Sequence, residues 1–255
     1  MTDLNESFIA IEGMTSVSAL IKARESGKSN RPIYRVLVSD AAAAHKRGEL
    51  SFLRSRALTL GYSVDIVDKS EIDTICSGQT HGGIIALCGE RTYRPVTVSD
   101  ISDGGFFVLL EGIEDPYNFG YTLRSLYAAG ADGVILPERN WLSAASTVIK
   151  SSAGTAELLD AYTGNLTESA RTFKTKGYKI IAAGIRDSVS LYEADLSRPL
   201  LLVIGGEKRG ISRSILELCD MTVRIDYGRP FMGSLTTAAS AAVIAFEVLR
   251  RNPTK

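Results

Sequence analysis

From residue 105 onward, five short segments are rich in apolar residues, and most of them are continuous apolar runs: 106–110 (FFVLL), 133–137 (GVILP), 178–184 (YKIIAAG), 199–206 (PLLLVIGG) and 222–226 (TVRID). Such runs are typical of strands buried on both faces, as in a parallel sheet covered by helices. Helices are predicted between and after them, over 118–129, 141–151, 165–176, 211–218 and 236–251. The sequence therefore predicts an α/β fold built on a parallel sheet.

The first 90 residues show a smaller α/β pattern. Short β-branched runs occupy 34–39, 62–67 and 83–88, and helical spacing is seen over 15–25 and 46–60. Residues 89–100 (GERTYRPVTVSD) are polar, contain a proline and lack a helical period. We therefore predict a small α/β domain over 1–90, a linker over 91–104 and a parallel-sheet domain over 105–255.

The composition fits a folded protein without an overall preference for polyanions. Of the 255 residues, 45% are hydrophobic and 23% are charged, which argues for a buried core and against global disorder. The net charge is zero and the pI is about 6.8. Nucleic-acid-binding proteins are often basic overall, so a nucleic-acid site here would have to be a local basic patch.

Signals for export, membrane insertion and metal binding are missing from the sequence. The amino terminus reads MTDLNESF, without a basic start or an apolar stretch, and no run of 18 apolar residues occurs. Cys76, Cys88 and Cys219 have neither the spacing of metal ligands nor that of a disulfide framework. We expect a cytoplasmic protein without membrane or metal, whose cysteines are reduced and packed as small apolar groups, a reactive thiol being the alternative.

Familiar nucleotide-binding and hydrolase motifs do not match. Gly205 and Gly210 have the separation of a P-loop, but Ile211 stands where the phosphate-binding lysine is required. No G-x-G-x-x-G follows a first strand. With only His45 and His81 in the chain and no G-x-S-x-G elbow, a Ser-His-Asp site is poorly supported.

Three polar, glycine-containing clusters each accompany a predicted strand. They are 114–130 (EDPYNFGYTLRSLYAAG), 200–212 (LLLVIGGEKRGIS) and 224–251 (RIDYGRPFMGSLTTAASAAVIAFEVLRR). Ligands of open α/β sheets bind at the carboxyl ends of the strands, so the three clusters could converge on one site.

Each cluster alone also has a purely structural interpretation. Asn118 could cap the helix that follows it, with Arg124 on the surface of that helix. Glu207 could be a solvated loop charge. Ser234 or Thr236 could be the N-cap of a tightly packed helix.

Taken together, the clusters resemble the three signature motifs of the SpoU family, the TrmH-like members of the SPOUT RNA methyltransferases. Asn118, Gly120 and Arg124 match N-x-G-x-x-x-R, and Gly205, Glu207 and Gly210 match G-x-E-x-x-G. The third motif matches in part, through Ile225, Ser234 and Leu235; Thr236 and Ser240 stand where the family has Asn and Ala. The segment 151–157 (SSAGTAE) also resembles the family.

The first domain is similar to the L30e-like substrate-binding domain that many such proteins carry. The matching stretches are 11–21 (IEGMTSVSALI) and 80–88 (THGGIIALC). This match is looser, because Gly82 stands where the family usually has Gln.

The resemblance implies methylation of a ribose 2′-hydroxyl in structured RNA, with rRNA favoured and tRNA possible. It also implies a C-terminal trefoil knot, bound S-adenosylmethionine and a homodimer with each site near the subunit interface. The implied catalytic residues are Asn118, Arg124, Glu207 and Ser234. The implied cofactor-binding residues are Gly205, Gly206, Ile225, Leu235 and Thr236.

RNA contacts are expected from Arg124 and from the locally basic stretch of the first domain. Within that stretch we single out Arg24, Arg31, Arg35 and Arg54, with Lys22, Lys28, Lys46, Arg47 and Arg56 nearby. Few acidic residues oppose them, namely Glu25, Asp40 and Glu49. The alternative is that these are ordinary solubilising charges on several faces.

Two other functions stay open. Thr236 lacks the amide of the family's Asn, so the chain could bind RNA or cofactor without transferring methyl groups. A nucleotide-binding α/β protein of another class is less well supported, because its characteristic loops are missing.

Overall fold

The computed structural model of the 255-residue chain describes residues 8–76, 78, 80–138 and 144–253. Its internal contacts divide the chain into two compact units. The first unit comprises 1–92 and 140–158, and the second comprises 93–139 and 159–255. The domain boundaries at 90 and 105 stay a prediction. The sequence did not indicate that 144–158 packs with the first unit.

The first unit contains a four-stranded mixed sheet. Its strands are β1 (Ile9–Glu12), β2 (Ile33–Ser39), β3 (Ser63–Val67) and β4 (Ile84–Cys88), in the order β1-β4-β2-β3. Strands β2 and β3 are parallel, whereas β4 runs antiparallel to both β1 and β2. Around the sheet lie α1 (Met14–Glu25), α2 (Asp40–His45), α3 (Arg47–Leu60) and α4 (Lys69–Ile75).

The sequence predicted β2, β3, β4, α1 and α3 to within a residue or two, but it missed the short elements β1, α2 and α4. The two missed helices are nucleated by side-chain caps. Ser39 Oγ accepts a hydrogen bond from Ala42 N at 3.1 Å, and Asp68 Oδ1 accepts one from Ser70 N at 2.8 Å. A capped helix of one or two turns has too few residues to show a periodic apolar pattern.

The helices α6 (Ala145–Ser151) and α7 (Thr155–Leu158) complete the first unit, numbered in chain order. Helix α6 packs on β1, and α7 packs on α1. Between them Gly154 has a φ of +82°, and a Cβ at this position would lie 2.4 Å from Ala19 Cβ. Close packing on α1 therefore requires glycine here. The predicted helix 141–151 agrees over 145–151; residues 141–143 lie outside the described residues.

A seven-stranded sheet forms the centre of the second unit, and every pairing in it is parallel. This confirms the fold class predicted from the apolar runs. The strand order is β7-β6-β5-β10-β8-β11-β9. The strands are β5 (Phe106–Glu111), β6 (Gly133–Leu136), β7 (Asp160–Thr163), β8 (Lys179–Ala183), β9 (Val189–Ser190), β10 (Leu200–Gly205) and β11 (Met221–Arg224). The sequence missed the edge strands β7 and β9, which are short.

In the part of the chain that the structure describes, four α-helices accompany this sheet: α5 (Pro116–Ala128), α8 (Leu166–Thr175), α9 (Arg213–Leu216) and α10 (Thr237–Arg251). Helix α8 packs against β5, β6 and β8, with Phe173 in a ring contact of 5.1 Å to Phe107. Helices α5 and α10 pack against each other. Because α5 lies within the first cluster and α10 within the third, their mutual packing brings distant parts of the sequence together.

The cysteines are free thiols in apolar surroundings, as expected from the sequence. Burial raises the pKa of Cys88 to about 12 and the pKa values of Cys76 and Cys219 to about 11. A thiol that stays protonated is a weak nucleophile, so the structure favours a packing role. Among the described helices, none combines the length and apolar character that crossing a lipid bilayer requires.

Candidate functional site

The carboxyl ends of β5 and β10 lie side by side, with Gly205 paired to Glu111. One residue further, Gly206 N donates to Glu111 O at 2.6 Å, and a Cβ on Gly206 would lie 1.9 Å from Gly112 O. Only glycine permits this approach. The loop after β5 and the loop after β10 are therefore held in direct contact.

Asp115, not Asn118, caps helix α5. Asp115 Oδ1 accepts a hydrogen bond from Asn118 N at 2.7 Å, and Pro116 occupies the first helical turn, where its missing N–H costs nothing. The interpretation of Asn118 as the cap was wrong, because the Asp-Pro pair starts the helix three residues earlier. The Asn118 side chain is thus left available for another contact.

That contact is with Glu207. Glu207 Oε1 accepts hydrogen bonds from Asn118 Nδ2 at 3.1 Å and from the backbone N–H of Thr237 at 3.2 Å. One carboxylate oxygen thereby joins the loop after β10 to α5 and to the first turn of α10. The sequence pointed to Asn118 and Glu207 but not to Thr237, whose backbone N–H gives no sequence signal.

Thr236 is the N-cap of α10, as one of the sequence interpretations had it. Its Oγ1 accepts a hydrogen bond from Ala239 N at 3.3 Å. Thr236 is exposed and does not line either of the pockets described below, whereas the neighbouring Thr237 is buried and lines both. The first helical turn of α10 is thus anchored twice, by its own cap and by Glu207.

A pocket of about 460 Å³ opens at the carboxyl ends of β10 and β11. This volume lies within the usual range of small-molecule sites. Its wall contains predicted residues from both the second and the third cluster, namely Gly205, Gly206, Glu207, Ile225, Ser234 and Leu235. Apolar side chains complete it, among them Ile204, Val223 and Ile244. The structure therefore brings these predicted residues together around one cavity.

Three hydrogen bonds that the sequence did not reveal hold lining residues of this pocket. Asp226 accepts hydrogen bonds from the Ser190 hydroxyl and from Arg224 Nε, the latter at 2.9 Å, and these contacts lower the pKa of its carboxyl, the Ser190 bond most strongly. Tyr227 Oη accepts a hydrogen bond from Leu235 N at 3.2 Å, which closes the loop 227–235 on itself.

A second, smaller pocket of about 120 Å³ lies directly beside the first. Glu207 and Thr237 belong to both walls and so separate the two spaces. The remaining lining is mostly polar and includes Asp115, Asn118 and Lys208; Lys208 Nζ is 2.6 Å from Glu114 Oε2. The arrangement can hold a largely apolar molecule on one side of Glu207 and a polar group on the other.

Arg124 lies on the exposed surface of α5, six residues beyond Asn118 and so about 9 Å further along the helix axis. It lines neither pocket. Within the second unit, the structure therefore places Arg124 outside the two pockets that Asn118, Glu207 and Ser234 line. A guanidinium on an exposed helix surface is accessible to an incoming polyanion.

The basic residues predicted to contact RNA in the first unit differ in exposure. Arg54 is exposed, Arg35 pairs with Asp65 at 2.9 Å, and Arg24 is half-buried. Arg31 is only 3% exposed and pairs with Glu157, itself 1% exposed, at 3.0 Å. The prediction that Arg31 contacts RNA is corrected, because a buried, paired guanidinium does not reach a phosphate in solvent.

Comparisons with known proteins cover both units. Residues 105–246 match the model of the SpoU rRNA methylase family, and residues 10–94 match a domain described as RNA 2′-O ribose methyltransferase substrate binding. The chain is 31% identical over 247 residues to the 23S rRNA (guanosine-2′-O-)-methyltransferase RlmB of Xylella fastidiosa, covering 93% of this chain and 96% of the relative. It is 32% identical over 237 residues to a Staphylococcus saprophyticus protein assigned to the TrmH family of tRNA/rRNA methyltransferases, covering 89% and 92%.

A solved structure confirms the fold. The AdoMet-bound rRNA methyltransferase of Sinorhizobium meliloti superposes with a TM-score of 0.78 at 21% identity, covering 97% of this chain and 88% of that one. At this level of sequence identity, the similarity shows the fold alone.

Proposed function

The chain belongs to the SpoU rRNA methylase family, and we propose that it transfers a methyl group from S-adenosylmethionine to a ribose 2′-hydroxyl of structured RNA, with rRNA favoured as substrate. One observation carries the proposal. Glu207 connects Asn118 and Thr237, so that residues from all three sequence clusters border two adjoining pockets. A methyl donor and a polar acceptor could therefore lie on the two sides of one carboxylate.

The larger pocket fits S-adenosylmethionine. Its volume of about 460 Å³ accommodates a ligand of this size, and its apolar residues suit an adenine ring. Gly205 and Gly206 contribute backbone without side chains to the lining. Asp226 and Glu207 place carboxylates on the lining, which suits the amino, hydroxyl and sulfonium groups of this cofactor. We assign Gly205, Ile225 and Leu235 to cofactor binding and do not assign Thr236, which caps α10 instead.

When bound, S-adenosylmethionine supplies a methyl group that its sulfonium already activates. The task of the chain is to align the ribose oxygen, an effect that can lower a barrier by roughly 7–11 kcal/mol. We assign this alignment to the polar residues Asn118, Glu207 and Ser234. Asn118 lines the smaller pocket, Ser234 lines the larger one, and Glu207 lines both. Arg124 lines neither pocket of its own chain, so we assign it to the neighbouring subunit's site in the homodimer. There it would bind an RNA phosphate and stabilise the negative charge that develops on the ribose oxygen. A guanidinium is cationic at physiological pH, so we do not assign it the role of base. The proton of the ribose hydroxyl leaves to water or to an RNA phosphate as the carbon–oxygen bond forms and the carbon–sulfur bond breaks.

The proposal includes the homodimer that family membership implies, with the trefoil knot in each C-terminal domain. Helices α5 and α10 pack together and expose large apolar side chains, including Tyr117 (56% exposed), Tyr121 (48%) and Phe246 (47%). Exposed apolar side chains on neighbouring helices are typical of an oligomer interface. Arg124 lies on one of these two helices, which suits a site close to a subunit interface. Sedimentation of the purified chain tests this part of the proposal.

The RNA class follows from the relatives. Two curated relatives are named as enzymes of 23S rRNA, while TrmH-family relatives are named for tRNA and rRNA together. We favour rRNA and keep tRNA as the second candidate. A 2′-hydroxyl acceptor restricts the substrate to RNA in either case. Since such RNA is processed in the cytoplasm, the proposal places the protein there.

Methyl transfer to defined transcripts tests the function. The full chain is incubated with labelled S-adenosylmethionine and an unmodified transcript of either 23S rRNA or tRNA, and 2′-O-methyl positions are mapped. We expect one main modified ribose in the 23S transcript. The same mapping in total RNA, with and without the gene, identifies the cellular target. Label that enters a base instead of a ribose would overturn the assignment.

Binding without transfer is the second candidate, and Thr236 in place of Asn is the observation that favours it. Calorimetric titration with S-adenosylmethionine separates the two functions. A chain that binds the cofactor but methylates neither transcript nor total cellular RNA is a binding protein. The intact connection between Asn118, Glu207 and Thr237 favours transfer.

A further inference from the structure

One face of helix α3 in the first unit is exposed to solvent along its length. Its residues are Arg47, Ser51, Arg54, Ser55 and Leu58, which line a shallow groove together with Leu50. At about 100° per residue, the five exposed positions fall within an arc of about 100° on the helix surface. Leu58 is 91% exposed. The opposite side of the helix supplies the core residue Leu53.

The two arginines on this face differ from the other arginines that the structure describes in the first unit. Every other one is engaged by a protein group: Arg24 by Ser29 O, Arg31 by Glu157, Arg35 by Asp65, Arg56 by Glu25, and Arg91 by Ala156 O and Lys28 O. Arg47 and Arg54 are exposed and have no polar contact with another described residue. Their positive charges are therefore the least compensated among these guanidinium groups.

The acidic residues near α3 do not neutralise this face. Glu49 projects about 200° away from Arg47 around the helix and lies 3.6 Å from Lys46 Nζ. Glu25 is engaged by Arg56 at 3.2 Å. The exposed face consequently presents two cations and two hydroxyls without a carboxylate.

This pattern matches an RNA backbone. Arginine and serine side chains are among the groups that bind phosphate oxygens in nucleic-acid interfaces. Arg47 and Arg54 are seven residues apart, so about 10 Å separates them along the axis, and both can reach phosphates of one strand. Ser51 and Ser55 lie alongside them as further hydrogen-bond donors. Leu58 adds an apolar surface for a sugar or base.

We infer that the Arg47–Leu58 face of α3 is a phosphate-contacting surface for the substrate RNA. This inference rests on the proposed function and extends it by locating where the first unit binds the substrate RNA. Binding there is governed by charge and hydroxyl geometry and not by base identity.

The test compares two double variants of the full chain that lose equal charge. Arg47→Ala with Arg54→Ala removes the α3 cations, whereas Lys69→Ala with Lys176→Ala removes two cations already paired with Asp73 and Asp103. The probe is the unmodified 23S transcript, or the tRNA transcript if only that one is methylated. Affinity is measured over a salt series, and kcat and KM are measured for methyl transfer.

We expect the α3 variant to raise KM about tenfold or more while kcat stays within twofold. The slope of log affinity against log salt should fall by roughly 1.4–1.8, as two lost phosphate contacts require. The paired-cation variant should change KM and the salt slope much less. Ser51→Asp is a second probe that adds repulsion at the same face, and it too should raise KM.

Equal effects of the two double variants would overturn the inference, since net charge and not the α3 face would then govern binding. An unchanged KM and salt slope in the α3 variant would also overturn it, while methyl transfer by the wild type leaves the proposed function standing. A changed oligomeric state of the α3 variant with unaltered RNA affinity would show a protein-docking surface instead. If the wild type neither binds nor methylates either transcript, both proposals fall together.

Discussion

The Glu207 carboxylate and the Asn118 amide, separated by 89 positions in the chain, meet at 3.1 Å, and the same carboxylate oxygen holds the backbone N–H of Thr237 at 3.2 Å. This oxygen fixes the start of α10 relative to α5. Glu207 is thus a positioning residue as well as part of the shared wall between the two pockets.

Glu207→Ala should lower kcat for methyl transfer by about 100-fold, because small displacements of reacting groups have effects of this order. Glu207→Gln keeps one oxygen that can accept from Asn118 and Thr237, so it should retain clearly more activity than the alanine variant. Single-turnover transfer to RNA measures both. Equal losses in the two variants would show that the charge, and not the connection, matters.

Arg124→Ala should abolish or greatly reduce transfer, by an order of 100-fold or more, while cofactor affinity stays nearly unchanged. The reason is that Arg124 is exposed and lines neither pocket. Calorimetric titration with S-adenosylmethionine measures the cofactor affinity. Tenfold weaker cofactor binding would contradict a role confined to RNA and the developing charge.

Thr236→Asn should leave activity equal or higher and leave stability nearly unchanged, because Asn is as good an N-cap as Thr. Thr236→Ala should cost about 1 kcal/mol of stability through loss of the hydrogen bond from Ala239 N. Thermal unfolding and methyl transfer are measured on both variants. A complete loss of activity in the asparagine variant would mean that the threonine is specifically required here.

Glu157→Ala should destabilise the protein by about 3–5 kcal/mol, because it leaves the buried Arg31 guanidinium without its partner. Glu157 also accepts a hydrogen bond from Ser29 Oγ at 2.5 Å, which would be lost as well. The control is Glu217→Ala, which breaks an exposed pair with Arg213 and should cost less than about 1 kcal/mol. Urea unfolding measures the free energy of unfolding of both variants. Similar losses in the two would show that burial of the Arg31–Glu157 pair is not important for stability.

The stability that Glu247 contributes to α10 should depend on pH. Hydrogen bonds from Arg250 and then Arg251 hold the pKa of Glu247 at about 2, below its ordinary value of 4.5. A carboxyl with a lowered pKa in the folded state stabilises the protein above its ordinary pKa, and this contribution is lost as the pH falls from about 4.5 toward 2. Glu247→Gln should therefore lower Tm at pH 6 but by much less at pH 3. A difference that stays constant over this range would disprove the linkage.

The fold class could be predicted from local patterns because a strand covered on both faces must be apolar along its whole length. The strands β5, β6, β8 and β10 show this directly, and the residues following β5 and β10 identify Asn118 and Glu207. The edge strand β9 has only two residues, and the edge strand β7 (DAYT) is not a continuous apolar run. The helix start at Asp115 was missed because both Asp115 and Asn118 can act as caps, and only the backbone geometry distinguishes them.

The sequence by itself therefore determined the parallel sheet, the order of the three clusters and the pair of glycines, Gly205 and Gly206, at the end of β10. What only the tertiary structure decided was which atoms meet: Thr237 N at Glu207, Arg31 buried against Glu157, and Arg124 outside both pockets. Local propensities act over a few neighbouring residues. Contacts between residues tens of positions apart depend on how whole elements pack, which no short pattern encodes.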